Sequence, residues 1–138
     1  MYYANLYNLK PGDRIVCQHT TIQFIKHHLI YLGPDYFGNE LIIENHKGTN
    51  VQLIYAKAFF DSNPTILEIT PFTGSDNERI LAIKKALYLI GKSYDLINYN
   101  CESFANDIQH NHTQSYQVKK VLAWGAFAVV VGLIIKAA

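Results

Sequence analysis

Cys101 is the residue of this chain best placed to act as a nucleophile. It follows Asn100, a favoured N-cap residue. Cys101, Glu102 and Ser103 then fill a first helical turn ahead of an apolar stripe at Phe104, Ala105 and Ile108. A thiol there meets the positive end of the helix dipole and backbone N–H groups that a helix leaves unpaired. Both favour the thiolate, the reactive form. Such a nucleophile needs a base, and His27 and His28 lie on a candidate strand well before it. The competing reading makes Cys101 a small residue packing a helix start, since free cysteine is among the most buried residue types. Cys17 falls in an apolar strand pattern and reads as a core residue.

The elements that must position these groups follow from the pattern. At 138 residues and 49% hydrophobic content, the chain suits one domain with a core of its own. Lys10-Pro11-Gly12-Asp13 is a turn signal that closes a polar and aromatic lead-in, and a short strand follows over 14–18. Residues 26–33 predict a strand and 34–39 its connecting loop; residues 40–45 form the return, and after the Lys47-Gly48-Thr49-Asn50 turn comes another strand over 51–54. Three strands on short turns predict an antiparallel meander. A single helical turn over 55–60 and a strand over 65–70 come next. Ser75 and Glu78 match a capping box that opens a helix with Ile80, Ile83, Leu87 and Ile90 on one face and a stop at Gly91. Lys84 and Lys85 read as its solvated side. The fold class is therefore α+β, an antiparallel meander packed against helices.

Composition also excludes. A net charge of +1 with 17% charged residues leaves no general basic field, so nucleic acid is not an expected partner. The two cysteines form no CxxC pair, which argues against a zinc ribbon or redox dithiol. His110 and His112 stand two apart in a polar stretch and read as solvent-facing, not as metal ligands. No cofactor or metal is implied. Residues 1–5 show no basic region leading into an apolar run, so a signal peptide is not expected, and the thiols are expected to be free.

Residues 121–135 contain no charge; Lys119-Lys120 precede them and Lys136 follows. Fifteen residues fall short of the roughly 20 of a comfortable bilayer span, but flanking lysines snorkel and Trp124 sits where an interfacial anchor belongs. The expected organisation is a catalytic domain over 1–115 and a hydrophobic tail over 116–138. That tail would be an apolar helix anchoring the protein to a membrane through 121–135.

Asn100-Cys101-Glu102-Ser103-Phe104-Ala105 resembles the Asn-Cys-Glu-His-Phe signature of the lecithin retinol acyltransferase-like proteins, a permuted branch of the NlpC/P60 superfamily. Pro11-Gly12-Asp13 and His27-His28-Leu29-Ile30-Tyr31-Leu32-Gly33 resemble that family's Pro-Gly-Asp and His-x-x-Ile-Tyr-x-Gly patterns, and Gly91-Lys92-Ser93-Tyr94 its Gly-x-x-Tyr lead-in. The apolar tail is similar to the anchor of the small phospholipase/acyltransferase members, the HRAS-like suppressor group. The resemblance covers roughly residues 10–110. It implies a circularly permuted papain-like fold, with histidine before cysteine in the chain. Cys101 would be the nucleophile and His27 the base, while His28 would project to the opposite strand face. The third member would be Glu44 by alignment or His46 by chemical identity; the two share a face. Asn45 would serve if the register slipped by one. Ser103 departs from the signature histidine.

The implied activity is acyl transfer or hydrolysis on a lipid ester through a Cys101 thioester, as phospholipase A or acyltransferase. The implied substrate is a phospholipid or other acyl ester, and the implied location a membrane with the catalytic domain on the cytoplasmic side. The rivals are a cysteine peptidase or amidase of the NlpC/P60 type and a membrane-tethered binding module without turnover.

Overall fold

Turn chemistry and β-branched runs lay down five strands among the described residues. The computed structural model describes residues 2–20 and 24–137, the side chains of 127–135 and 137 excepted. In chain order the elements are α1 (Tyr3–Tyr7), β1 (Arg14–Gln18), β2 (Lys26–Pro34), β3 (Glu40–His46), β4 (Asn50–Tyr55), α2 (Ala56–Asp61), β5 (Ile66–Thr70), α3 (Asp76–Tyr88), α4 (Cys101–His110) and α5 (Tyr116–Ala137). The sheet order is β4-β3-β2-β1-β5, with every neighbouring pair antiparallel. The fold is α+β, and β2 is its central strand. The polar and aromatic lead-in before Pro11 contains the short helix α1.

The pleat of β2 divides the core. Ile30 packs with Ile43 and Val51 against Ala82 and Ala86 of α3 and Phe104, Ala105 and Ile108 of α4. Leu29 and Tyr31 face the other way, with Ile15, Cys17 and Ile42, and are covered by Leu9 and Ala56. Full burial of one such aliphatic or aromatic side chain contributes about 1.5–3 kcal/mol.

Helix α3 opens on the expected capping box. Ser75 N–H donates to Glu78 Oε2 at 2.7 Å and Glu78 N–H to Ser75 Oγ at 3.3 Å. Its buried face differs from the expected one. Ile80, Leu87 and Ile90 are exposed, and Ala82 and Ala86 are the residues that face the core. Small side chains let α3 approach its neighbours closely, and the larger residues are left outside. Lys85, expected in solvent, donates to Asp107 Oδ1 at 2.5 Å and so ties α3 to α4.

The Pro-Gly-Asp turn is bonded into the sheet. Gly12 (φ +94°) donates its N–H to Tyr31 O at 2.7 Å, and Tyr31 N–H donates to Asp13 O at 2.9 Å. The buried Asp13 carboxylate accepts from Lys10 N–H at 2.8 Å, Phe72 N–H at 2.9 Å and Arg79 Nη1 at 3.2 Å. Gly33 (φ +94°) lies against Pro11, and a Cβ there would meet Pro11 Cγ at 2.9 Å.

Candidate active site

The loop before α4 is folded on itself so that Cys101 becomes the first residue of a helix. Asp95 and Tyr99 exchange backbone hydrogen bonds of 3.0 and 2.9 Å, and Asp95 Oδ1 accepts from Ile97 N–H and Asn98 N–H at 2.9 Å each. Asn100 then caps the helix: its Oδ1 accepts from Ser103 N–H at 3.0 Å, and its Nδ2 donates to Leu96 O at 3.0 Å. Phe104, Ala105 and Ile108 anchor the following turns in the core. Cys101 is buried, and its Sγ lies 3.8 Å from Lys26 O at the start of β2.

That meeting point depends on where a ladder ends. α4 packs on the Ile30 side of the sheet, whereas His27 shares the Leu29 side. The β2–β3 register begins only at Leu29↔Glu44. Before it β2 is not laddered to β3, and the N-terminus of α4 reaches the strand there, at Lys26. Cys101 can thus engage a histidine of the opposite face.

His27 hydrogen-bonds Glu44, and the Cys101 thiol acts electrostatically on the same ring. Its Nε2 lies 2.6 Å from Glu44 Oε2; a carboxylate only accepts, so Nε2–H donates and Nδ1 is the nitrogen left for the thiol. Glu44 Oε1 accepts from Gln52 Nε2 at 2.8 Å, which fixes the carboxylate from behind. Burial opposes charge on His27, but the hydrogen bonds and charges of Cys101 and Glu44 outweigh it and raise its pKa to about 9. Burial also works against the Glu44 carboxylate; His27 and Gln52 more than offset this and hold it below its ordinary value.

The remaining sequence candidates are placed differently. His46 is exposed and meets the His27 ring edge-on, with centroids 5.7 Å apart. Asn45 turns to the other face, where its Nδ2 donates to Tyr99 O at 2.7 Å. His28 is buried near Arg14 and Glu102; burial first, then the Arg14 charge, lowers its pKa to about 4. His110 and His112 stack on each other at 5.9 Å. Among the described residues, no group of three or more His, Cys, Asp or Glu could hold a metal ion.

Two residues that sequence reasoning passed over, Gln52 and Gln117, border the site, as does Cys17, which lies in the core as its strand pattern predicted. Gln52 faces Glu44 across the β3–β4 register, and Gln117 of α5 bonds the start of β2. Cys17 is the register partner of His27. Burial, with the charges of Cys101 and Glu44, pushes the Cys17 thiol up to about 11, so it is a poor nucleophile beside a better-placed one. Both cysteines are free. A cavity of about 510 Å³ opens on this side, with Cys17, His27, Glu44 and His46 in its walls; Cys101 is not among the residues lining it. Only strand register brings Cys17 and Gln52 to the site, and register is not written in local sequence.

α5 runs through the apolar stretch, and the anchor expected at 121–135 falls largely on side chains outside the described residues. Among the described residues, no helix is long and apolar enough to cross a membrane. Compared with known proteins, the chain matches no family model and no curated protein.

Proposed function

We propose that this protein is a thiol-dependent acyl-transfer enzyme acting on a lipid ester, built on a permuted papain-like arrangement with histidine before cysteine in the chain. The observation that carries the reading is the His27–Glu44 hydrogen bond beside Cys101, whose thiol contacts the carbonyl of Lys26, the residue before His27, and helps raise the His27 pKa. A base with raised proton affinity, held by a carboxylate and next to a thiol, is the arrangement nucleophilic thiol catalysis requires.

The chemistry runs in two halves. Cys101 passes its proton to His27 Nδ1, and Sγ bonds to the ester carbonyl carbon. The tetrahedral oxyanion is met by first-turn N–H groups of α4, which a helix leaves without internal partners. Collapse breaks the ester C–O bond, His27 returns its proton to the leaving alkoxide, and a Cys101 thioester remains. An acceptor then gives a proton to His27 and attacks the thioester carbonyl, and the C–S bond breaks to release the thiolate. Water as acceptor gives a phospholipase A; an amine or alcohol gives an acyltransferase. Glu44 holds the ring and stabilises the imidazolium in both halves. The cavity bordered by His27 gives an acceptor room on the side of the base.

Membrane association supplies the substrate. Residues 121–135 carry no charge and are flanked by lysines, and the backbone there is helical. Held at a bilayer by this segment, the site meets phospholipid. The test is intact-protein mass spectrometry after incubation with phosphatidylcholine vesicles, with Cys101→Ser alongside. A fatty-acyl mass on the wild type, or lysolipid and free fatty acid released by it, both absent from the variant, is the expected result. Neither adduct nor product overturns the reading, and turnover of peptidoglycan fragments instead would favour the amidase rival.

A further inference from the structure

We propose that Gln117 is a positioning residue for this reaction, tying the first turn of α5 to the strand segment that carries His27 and to the carbonyl that the Cys101 thiol contacts. The proposal rests on the acyl-transfer reading.

The argument starts from backbone alternation in β2. Its odd-numbered residues bond toward β1: Tyr31 N–H donates to Asp13 O, and just before the strand Ile25 O accepts from His19 N–H at 3.0 Å. The N–H and C=O of Lys26 therefore point to the β3 side, where the register has not yet begun. The Gln117 side chain takes the missing strand's place. Its Oε1 accepts from Lys26 N–H at 2.8 Å, and its Nε2 donates to Lys26 O at 3.2 Å. The same carbonyl is the one Cys101 Sγ approaches. One primary amide thus reproduces a rung of β-ladder immediately before the base, and it shares an acceptor with the nucleophile.

Gln117 is held from the other catalytic element as well. Its backbone N–H donates to Glu102 Oε2 at 3.0 Å, and Ser115 Oγ donates to the same oxygen at 2.5 Å. Glu102 follows Cys101 directly. The residue therefore bridges α4, which presents the thiol, and β2, which presents the imidazole. Its amide nitrogen also lies 3.3 Å from His28 Nε2; an amide nitrogen only donates, so that contact suits a neutral His28 accepting at Nε2. A displacement of the order of 1 Å between nucleophile and base costs up to about a hundredfold in rate. Gln117 is placed to prevent it without touching the reacting atoms.

The test compares full-length wild type, Gln117→Met and Gln117→Glu on phosphatidylcholine vesicles. It follows the rate of acyl-enzyme formation, kcat and KM, vesicle flotation and melting temperature. Methionine keeps the length and loses the hydrogen bonds; the expected result is a kcat about tenfold lower with KM and flotation unchanged. Glutamate keeps an acceptor for Lys26 N–H and regains a donor for Lys26 O only when protonated. Its deficit relative to wild type, taken pH by pH, is therefore expected to shrink as pH falls. A Gln117→Met enzyme with wild-type kcat overturns the proposal. If that variant does not fold, a Gln117→Glu ratio to wild type that is constant across pH overturns it. Wild type that forms neither thioester nor lysolipid fails at the earlier step and removes the acyl-transfer reading together with this one.

Discussion

His27 and His28 sit side by side on β2, and the pleat sends them to opposite faces of the sheet. His27 meets a thiol and a carboxylate, and its pKa rises to about 9. His28 meets the Arg14 guanidinium in a buried setting that the Glu102 charge does not offset, and its pKa falls to about 4. Burial pushes both rings toward the neutral form, so burial does not distinguish them. What distinguishes them is the partner on each face. One strand thus presents a ring of raised proton affinity on one side and a ring of lowered proton affinity on the other.

The largest test of this contrast is paired alanine substitution. His27→Ala is expected to lower kcat for lipid hydrolysis or transfer by about 10²–10⁴-fold, the usual worth of a general acid–base. His28→Ala is expected to act mainly on stability, read as a lower melting temperature with kcat much less affected. Equal losses in kcat would erase the distinction. Next in size is Glu44→Gln, which keeps the shape and removes the charge. The expected kcat loss is roughly 10- to 100-fold, and the His27 titration, followed by NMR, should move down from about 9 toward its ordinary 6.5. An unmoved titration would place the cause of the shift elsewhere.

Stability against pH reads both rings at once. Between about pH 4 and 6.5 the unfolded chain binds a proton at His28 that the folded protein refuses, so stability rises with pH in that window. Above 6.5 the order reverses at His27: the folded protein keeps a proton that the unfolded chain has lost. The His27 contribution is complete below 6.5 and lost as pH rises through about 9. Glu44 adds stability above its ordinary 4.5 that is lost as pH falls through its lowered value. Urea melts across pH are therefore expected to peak near 6.5. His28→Leu should flatten the acid limb and His27→Gln the alkaline one. The smallest expected effect is that of His46→Ala. An exposed ring in edge contact should change kcat by no more than about twofold, the scale of an ordinary surface substitution.

Much of this architecture was legible before coordinates, and the reasons are local. Strands β1 to β5 are punctuated by Pro11-Gly12, Gly38, Gly48 and Pro64, and the caps at Ser75 and Asn100 announce α3 and α4. Cys101 stood out because a helix start is a short-range signal, and the strand pattern offered His27 and His28 together; only the resemblance to the His-x-x-Ile-Tyr pattern favoured His27. The choice among Glu44, Asn45 and His46 was not legible, because it depends on pairing between strands. The same holds for Gln52 and for the pairing of Cys17 with His27. The α3 face was misread because periodicity marks large apolar residues, whereas close helix packing selected Ala82 and Ala86. Gln117 gave no signal, since its partner is a strand segment 91 residues earlier.

Gly33 has a consequence for saturation mutagenesis. It lies six residues along β2 from His27, or about 20 Å, outside the proposed site. Yet a methyl group there would collide with Pro11 at 2.9 Å while the backbone holds a φ of +94°. In a screen scored by activity alone, every substitution at Gly33 would be lost as completely as one at Cys101. Scoring abundance beside activity separates the two. Cys101 variants would accumulate as silent, folded protein, and Gly33 variants would be missing from the cell, so a map of intolerance drawn without abundance would extend the proposed catalytic site to a turn at the far end of the strand.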